Sequence, residues 1–175
     1  MLQFRTPTGL AGTIFASPDP DGIDSLYTVV KGTFDLRDGA TLAEEQRPVT
    51  LAAEHYGDPL ATSIRVPPDV GLIKPATDVL LVGSAHSPDG RPVHWMDVSL
   101  SVGPVRKIVR VFGDRRWEAE GLGYRMSPAV PFRTMPLVWE RAFGGVDMAG
   151  GRPVSEQRNP VGRGFRAPLM NTKRY

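Results

Sequence analysis

The sequence predicts an all-β protein, mainly antiparallel, arranged as a β-sandwich or a partly open barrel with long Gly/Pro-rich loops and little helix. Three observations carry this. Apolar residues recur with a period of two over short runs. Turn formers punctuate the chain closely, with 19 Gly and 17 Pro among 175 residues. Only Leu137 to Phe143 reads as a helical turn or two, stopped by Gly144-Gly145 in the manner of a glycine C-cap. Less than about a fifth of the residues is expected in helix, against the usual third.

In chain order, SPDPDG (Ser17 to Gly22) is a turn. Its Asp19, Asp21 and Gly22 fall short of a calcium loop, because the register puts Thr28 where the bidentate glutamate belongs. Leu26 to Leu36 alternates, with Leu26, Val30, Phe34 and Leu36 on one face and Tyr27, Lys31, Thr33 and Asp35 on the other, which predicts a half-buried strand. Val49 to Glu54 is a short strand candidate, followed by a crossing that contains Pro59, Pro67, Pro68 and Pro75. From Val79 the pattern predicts a four-stranded meander: Val79 to His86, Val93 to Val102, Val105 to Phe112 and Arg115 to Ala119, with turns at Ser87 to Pro92, Gly103-Pro104 and Gly113-Asp114. In the second strand His94, Met96, Val98, Leu100 and Val102 share one face, so His94 is expected in the core.

The length and the 41% hydrophobic content fit one β-rich domain over residues 1–175. No charged and apolar leader opens the chain, and the longest aliphatic run, Val79 to Val82, is far too short for a bilayer. Zero cysteines exclude disulfides, iron–sulfur clusters and thiolate zinc sites, and sit well with a reducing cytoplasm. The expectation is a cytoplasmic protein with no membrane partner.

Charge is uneven. Met1 to Val105 carries 7 Lys+Arg against 13 Asp+Glu, while Arg106 to Tyr175 carries 14 against 6, so the second part is the basic one. Arginine outnumbers lysine 17 to 4, which suits carboxylate recognition and aromatic stacking. With few lysines and no recognised motif, nucleic acid is not expected as a partner.

Catalytic motifs are absent: no G-x-S-x-G elbow, no H-E-x-x-H, no P-loop and no dinucleotide fingerprint. His55, His86 and His94 are scattered, so neither a metal nor another cofactor is expected. Lys74 and Asp78 read as a structural ion pair at a strand entrance.

The chain is organised around Met135 to Phe165, MPLVWERAFGGVDMAGGRPVSEQRNPVGRGF. Paired glycines and the Asn159-Pro160 step forbid a regular strand or long helix, so side chains must hold the backbone. Its aromatics set it apart from a disordered loop. Trp139, Arg141, Phe143, Arg158, Arg163 and Phe165 from this stretch, with Arg115, Arg116 and Trp117 from GDRRW, have the composition of a binding hot spot. They are the candidate partner-binding residues.

Six segments in order, VVKGTFDL (Val29 to Leu36), EEQRPV (Glu44 to Val49), KPATDVLLVGSAHSPDGRP (Lys74 to Pro92), VFGDRRW (Val111 to Trp117), MPLVWERAFGG (Met135 to Gly145) and NPVGRGF (Asn159 to Phe165), carry a resemblance. Together they resemble a bacterial domain family, first catalogued as of unknown function, whose members serve as type VI secretion effector adaptors. Family members continue well past the last segment, whereas this chain ends at Tyr175, so relative to the family it is expected to be either a fragment or a short member. The resemblance implies a non-enzymatic adaptor or chaperone that binds a toxin effector and helps load it onto the secretion spike. The alternative is a β-sandwich hydrolase or small-ligand-binding module with a polar site near His55 or His86. A closed pocket with convergent titratable groups would favour that alternative, and an open apolar, arginine-lined surface the adaptor.

Overall fold

A computed structural model describes residues 5, 8–37, 39–71, 76–148 and 151–166. They are all-β, as the two-residue period predicts. The helical turns among them are two three-residue 3-10 turns, Pro88–Gly90 and Trp139–Arg141. The described residues group into two compact units, drawn from Met1–Tyr56 with Ile64–Thr77 and from Gly57–Ser63 with Asp78–Tyr175. Among them the strands pair two by two, and no barrel closes.

In the first unit β1 (Ala11–Pro18) and β2 (Asp24–Lys31) form an antiparallel hairpin. The Asp19 carboxylate organises its turn by accepting from the amides of Asp21 at 3.0 Å and Ile23 at 2.9 Å. β2 alternates, but its half-buried face is Ser25, Tyr27, Val29 and Lys31, while Leu26 and Val30 are exposed. The expected apolar face is thus the outer one. What draws the other face inward is the Phe15–Tyr27 stack, 5.4 Å between centroids, and the Lys31 ammonium, which reaches Asp69 at 2.6 Å. β3 (Phe34–Asp35) pairs with β4 (Thr41–Leu42), and β5 (Glu54–His55) with β6 (Ile64–Val66). The Val49 to Glu54 strand candidate contracts to its last residue plus His55. Gln46, from the EEQRPV segment, clamps the β3 approach: its Oε1 accepts from Thr33 N at 2.7 Å and its Nε2 donates to Ala43 O at 2.7 Å.

The second unit holds the buried core. β7 (Ser84–His86) pairs with β12 (Thr134–Pro136), and β8 (Trp95–Val102) with β9 (Val105–Phe112) through the Gly103-Pro104 turn, as expected. Reciprocal Val93 and Phe132 backbone hydrogen bonds, both 2.9 Å, link the two pairs. Ala85, Val111, Phe132 and Met135 are buried where they meet, with Val93, Met96, Val98 and Leu137 packed against them. Burying a ring such as Phe132 is worth about 1.5–3 kcal/mol.

The expected meander does not form. Val79 to Val82 is exposed and outside any strand, and the remainder of that run pairs with β12, not β8. After β9 the chain does not turn back at Gly113-Asp114. Instead residues 113–116 run beside 127–130, with Ser127 N to Arg116 O and Val130 N to Asp114 O both 2.9 Å. The hairpin that follows joins β10 (Trp117–Glu120) to β11 (Gly123–Met126), turning at Gly121-Leu122, where Gly121 has φ 56°. Arg115 and Arg116 therefore do not sit on a hairpin tip. Met96, Val98 and Leu100 do share the inner face of β8, but His94 precedes that strand and is exposed. Its Nδ1–H donates to Ala129 O at 2.6 Å.

Downstream, β13 (Phe143–Gly144) pairs in parallel with β16 (Arg163–Gly164), and β14 (Val146–Asp147) with β15 (Val154–Ser155). The expected helical segment is only the Trp139–Arg141 turn. It ends at extended Ala142, and Gly144 lies inside β13 and not at a helix C-cap.

Candidate partner-binding surface

The organising stretch is held together by one side chain. Asn159 is 5% exposed. Its Nδ2 donates to Trp139 O at 2.8 Å and Phe143 O at 3.1 Å, and its own carbonyl accepts from Gly145 N at 2.9 Å and Gly162 N at 3.2 Å. A carboxamide supplies both donor protons, which a backbone without a regular ladder needs. The approach is so close that a Cβ on Gly144 would lie 2.1 Å from Asn159 O. The WERAFGG and NPVGRGF segments are thereby locked side by side. Arg163 N donates to Ala142 O at 2.9 Å and Phe165 N to Gly144 O at 3.0 Å.

On this frame Phe143 and Phe165 meet edge to face, 6.5 Å between centroids, and the Arg166 guanidinium lies 5.3 Å from the Phe165 ring. Trp139 and Phe143 point outward, 58% and 65% exposed. Arg141 reaches back to Asp114, tying the stretch to the Gly113 to Trp117 segment. There Arg115 stacks over Phe112 at 4.4 Å, Arg116 pairs with Glu118 at 3.2 Å and Trp117 is half-buried opposite Met126. Arg158 and Arg163 are exposed.

The structure thus brings Trp139, Arg141, Phe143, Arg163 and Phe165 together on one knot. The side chain that anchors the knot is Asn159. Sequence reasoning missed that residue as an anchor, reading Asn159-Pro160 only as a turn. It also missed Trp95, which Arg110 covers at 4.6 Å while Asp97 holds Arg110 in a fork at 2.8 and 2.9 Å.

Glu140 fastens the stretch a second way. Burial pushes its carboxyl up, but hydrogen bonds from Ser63 N at 2.5 Å and Ser63 Oγ at 2.9 Å, with the Arg163 charge adding, outweigh that and leave it below the ordinary value. Asp69 in the first unit behaves likewise: burial raises it, and Lys31 and Thr50 lower it further. A depressed carboxylate contributes stability above its unfolded-state value and loses it as pH falls through the folded-state value. Unfolding free energy should hence be flat above about pH 6 and decline below about pH 4. Chemical denaturation across that range checks this, and Glu140→Gln should shallow the acid limb.

His86 Nδ1 lies 3.3 Å from Thr134 Oγ1, across the β7–β12 pair, and His55 is in β5. Among the described residues no three His, Cys, Asp or Glu side chains gather as metal ligands. An open concavity in the first unit, lined by Thr13, Phe15, Ala16, Ser17, Leu51 and Val70, holds no titratable group. Lys74 of the expected Lys74–Asp78 pair lies outside the described residues. No described helix is long and apolar enough to cross a membrane.

These features define an all-β protein that carries exposed aromatics and arginines on a loop tied down by Asn159. Residues 21–174 match the family described as an uncharacterized protein conserved in bacteria (DUF2169), and the chain belongs to that family. No curated protein and no solved structure matches it.

Proposed function

We propose that the chain is a non-enzymatic adaptor that binds a type VI secretion effector in the cytoplasm and helps load it onto the secretion spike. The six ordered segments that resemble such adaptors support this reading. The observation that carries it is the outward placement of Trp139 and Phe143 on a backbone tied down by Asn159 and Glu140. Large exposed rings on a rigid platform gain little from folding and much from burial under a partner. The exposed arginines around them provide directional contacts to carboxylates.

The test is co-purification of the full chain from its bacterial host with identification of what accompanies it, followed by affinity measurements on the partner. A toxin effector and a spike component are expected. The double variant Arg115→Glu, Arg116→Glu should weaken effector binding at least about tenfold, and wild-type binding should fall with added salt. Its stability should change by less than about 1 kcal/mol, because both side chains are exposed. Unaltered affinity would remove that segment from the interface. A hydrolytic activity abolished by His55→Ala or His86→Ala would establish the enzyme alternative instead.

A further inference from the structure

The β8–β9 sheet has two strands only, so among the described residues the outer edge of β9 has no neighbouring strand. Its base is fixed, because Met96, Val98 and Val111 belong to the core. Beyond that base every residue from Val105 to Arg110 is exposed, on both faces of the ribbon, with Val105 at 61% and Ile108 at 57%. A two-stranded ribbon anchored at one end is marginal in water, and an open apolar edge is a template for another strand.

Charge selects which strand. Arg110 is neutralised by the Asp97 fork, whereas Arg106 and Lys107 form no ion pair among the described residues. Pairing two β9 edges from separate copies would crowd four uncompensated cations on one ladder, which disfavours self-association. An acidic strand would satisfy the same cations.

We propose that the open edge of β9 adds a strand from an extended acidic segment of a partner protein. Opposite Val105-Arg106-Lys107-Ile108-Val109, cross-strand complementarity calls for apolar, acidic, acidic, apolar, apolar, read in the direction of pairing. Main-chain hydrogen bonds supply the affinity, and the alternating side chains on each face supply the selection. This goes beyond the adaptor reading, since it concerns a different surface and does not require the partner to be an effector.

The test uses the full chain and a fluorescein-labelled synthetic peptide, Thr-Thr-Val-Glu-Glu-Ile-Val-Thr-Thr, read by anisotropy and by amide hydrogen exchange. Two controls accompany it, one with both Glu replaced by Lys and one N-methylated at alternate amides. The glutamate peptide should bind and slow exchange across Val105–Phe112. Both controls should bind at least about tenfold more weakly, and Arg106→Glu with Lys107→Glu should invert the preference between glutamate and lysine peptides. Several results would overturn the proposal: no binding, undiminished binding of the N-methylated peptide, or unprotected β9 amides. Equal protection by a single-stranded oligonucleotide, or a dimer in sedimentation that excludes the peptide, would do so too.

Discussion

Gly113→Ala should lower the melting temperature by about 6–12 °C, equivalent to about 3 kcal/mol for a chain of this size. Gly113 is buried, and a Cβ there would lie 1.7 Å from Val130 O and 3.3 Å from the Phe132 ring. No rotamer relieves an overlap with backbone, so residues 113–116 must move away from 127–130. That shift stretches Gly113 N to His94 O, 3.0 Å, and Val130 N to Asp114 O, 2.9 Å, and it loosens Phe132 in the core. Gly83→Ala is the matched control, because nothing lies within 4 Å of its added Cβ. Equal melting of the two variants would refute the packing argument.

Asn159→Ala should cost about 3 kcal/mol and unfasten the organising stretch. Truncation leaves Phe143 O without its donor and strips Trp139 O of one of its two, the other being Ala142 N at 3.0 Å, in a site that is 5% exposed for Asn159 itself. A buried acceptor left unsatisfied costs about 1–3 kcal/mol. Asn159→Asp keeps the shape but sets a carboxylate against two carbonyl oxygens, so at neutral pH it should be at least as damaging. Hydrogen exchange gives the local readout: the Arg163 and Phe165 amides, which donate to Ala142 O and Gly144 O, should lose protection, while the β8–β9 amides keep theirs. Undiminished protection at Arg163 in the alanine variant would show that the parallel β13–β16 pair stands without Asn159. If the knot presents Trp139 and Phe143 to an effector, both variants should also lose effector binding.

Local pattern made some elements readable. The alternation of Met96, Val98 and Leu100 against Asp97, Ser99 and Ser101 specified β8 and its inner face, and Gly103-Pro104 specified the turn into β9. Alternation over Leu26 to Leu36 gave a strand without its orientation or its end, since β2 stops at Lys31 and Phe34–Asp35 pairs separately with β4. A period of two separates the faces but does not say which is covered, and here the Phe15–Tyr27 stack and the Lys31–Asp69 pair drew the less apolar face inward. Gly113-Asp114 looked like a turn because glycine before aspartate is common in one. Its actual reason for being glycine is the passing Val130 carbonyl, seventeen residues on, which no local pattern records.

By its own residues the sequence determined the all-β class, the β8–β9 hairpin, the scarcity of helix and the concentration of arginine and aromatics in the second part of the chain. Those properties depend on neighbours within a few positions, through φ/ψ preference and face alternation. The tertiary structure alone decided that β7 pairs with β12, that β13 lies parallel to β16, that Ser63 caps Glu140 from 77 residues away and that Asn159 ties Trp139 and Phe143. Each of these contacts satisfies a backbone or carboxylate group that local structure leaves open. The partner in each case lies far along the chain, and only the folded path brings its donors within reach.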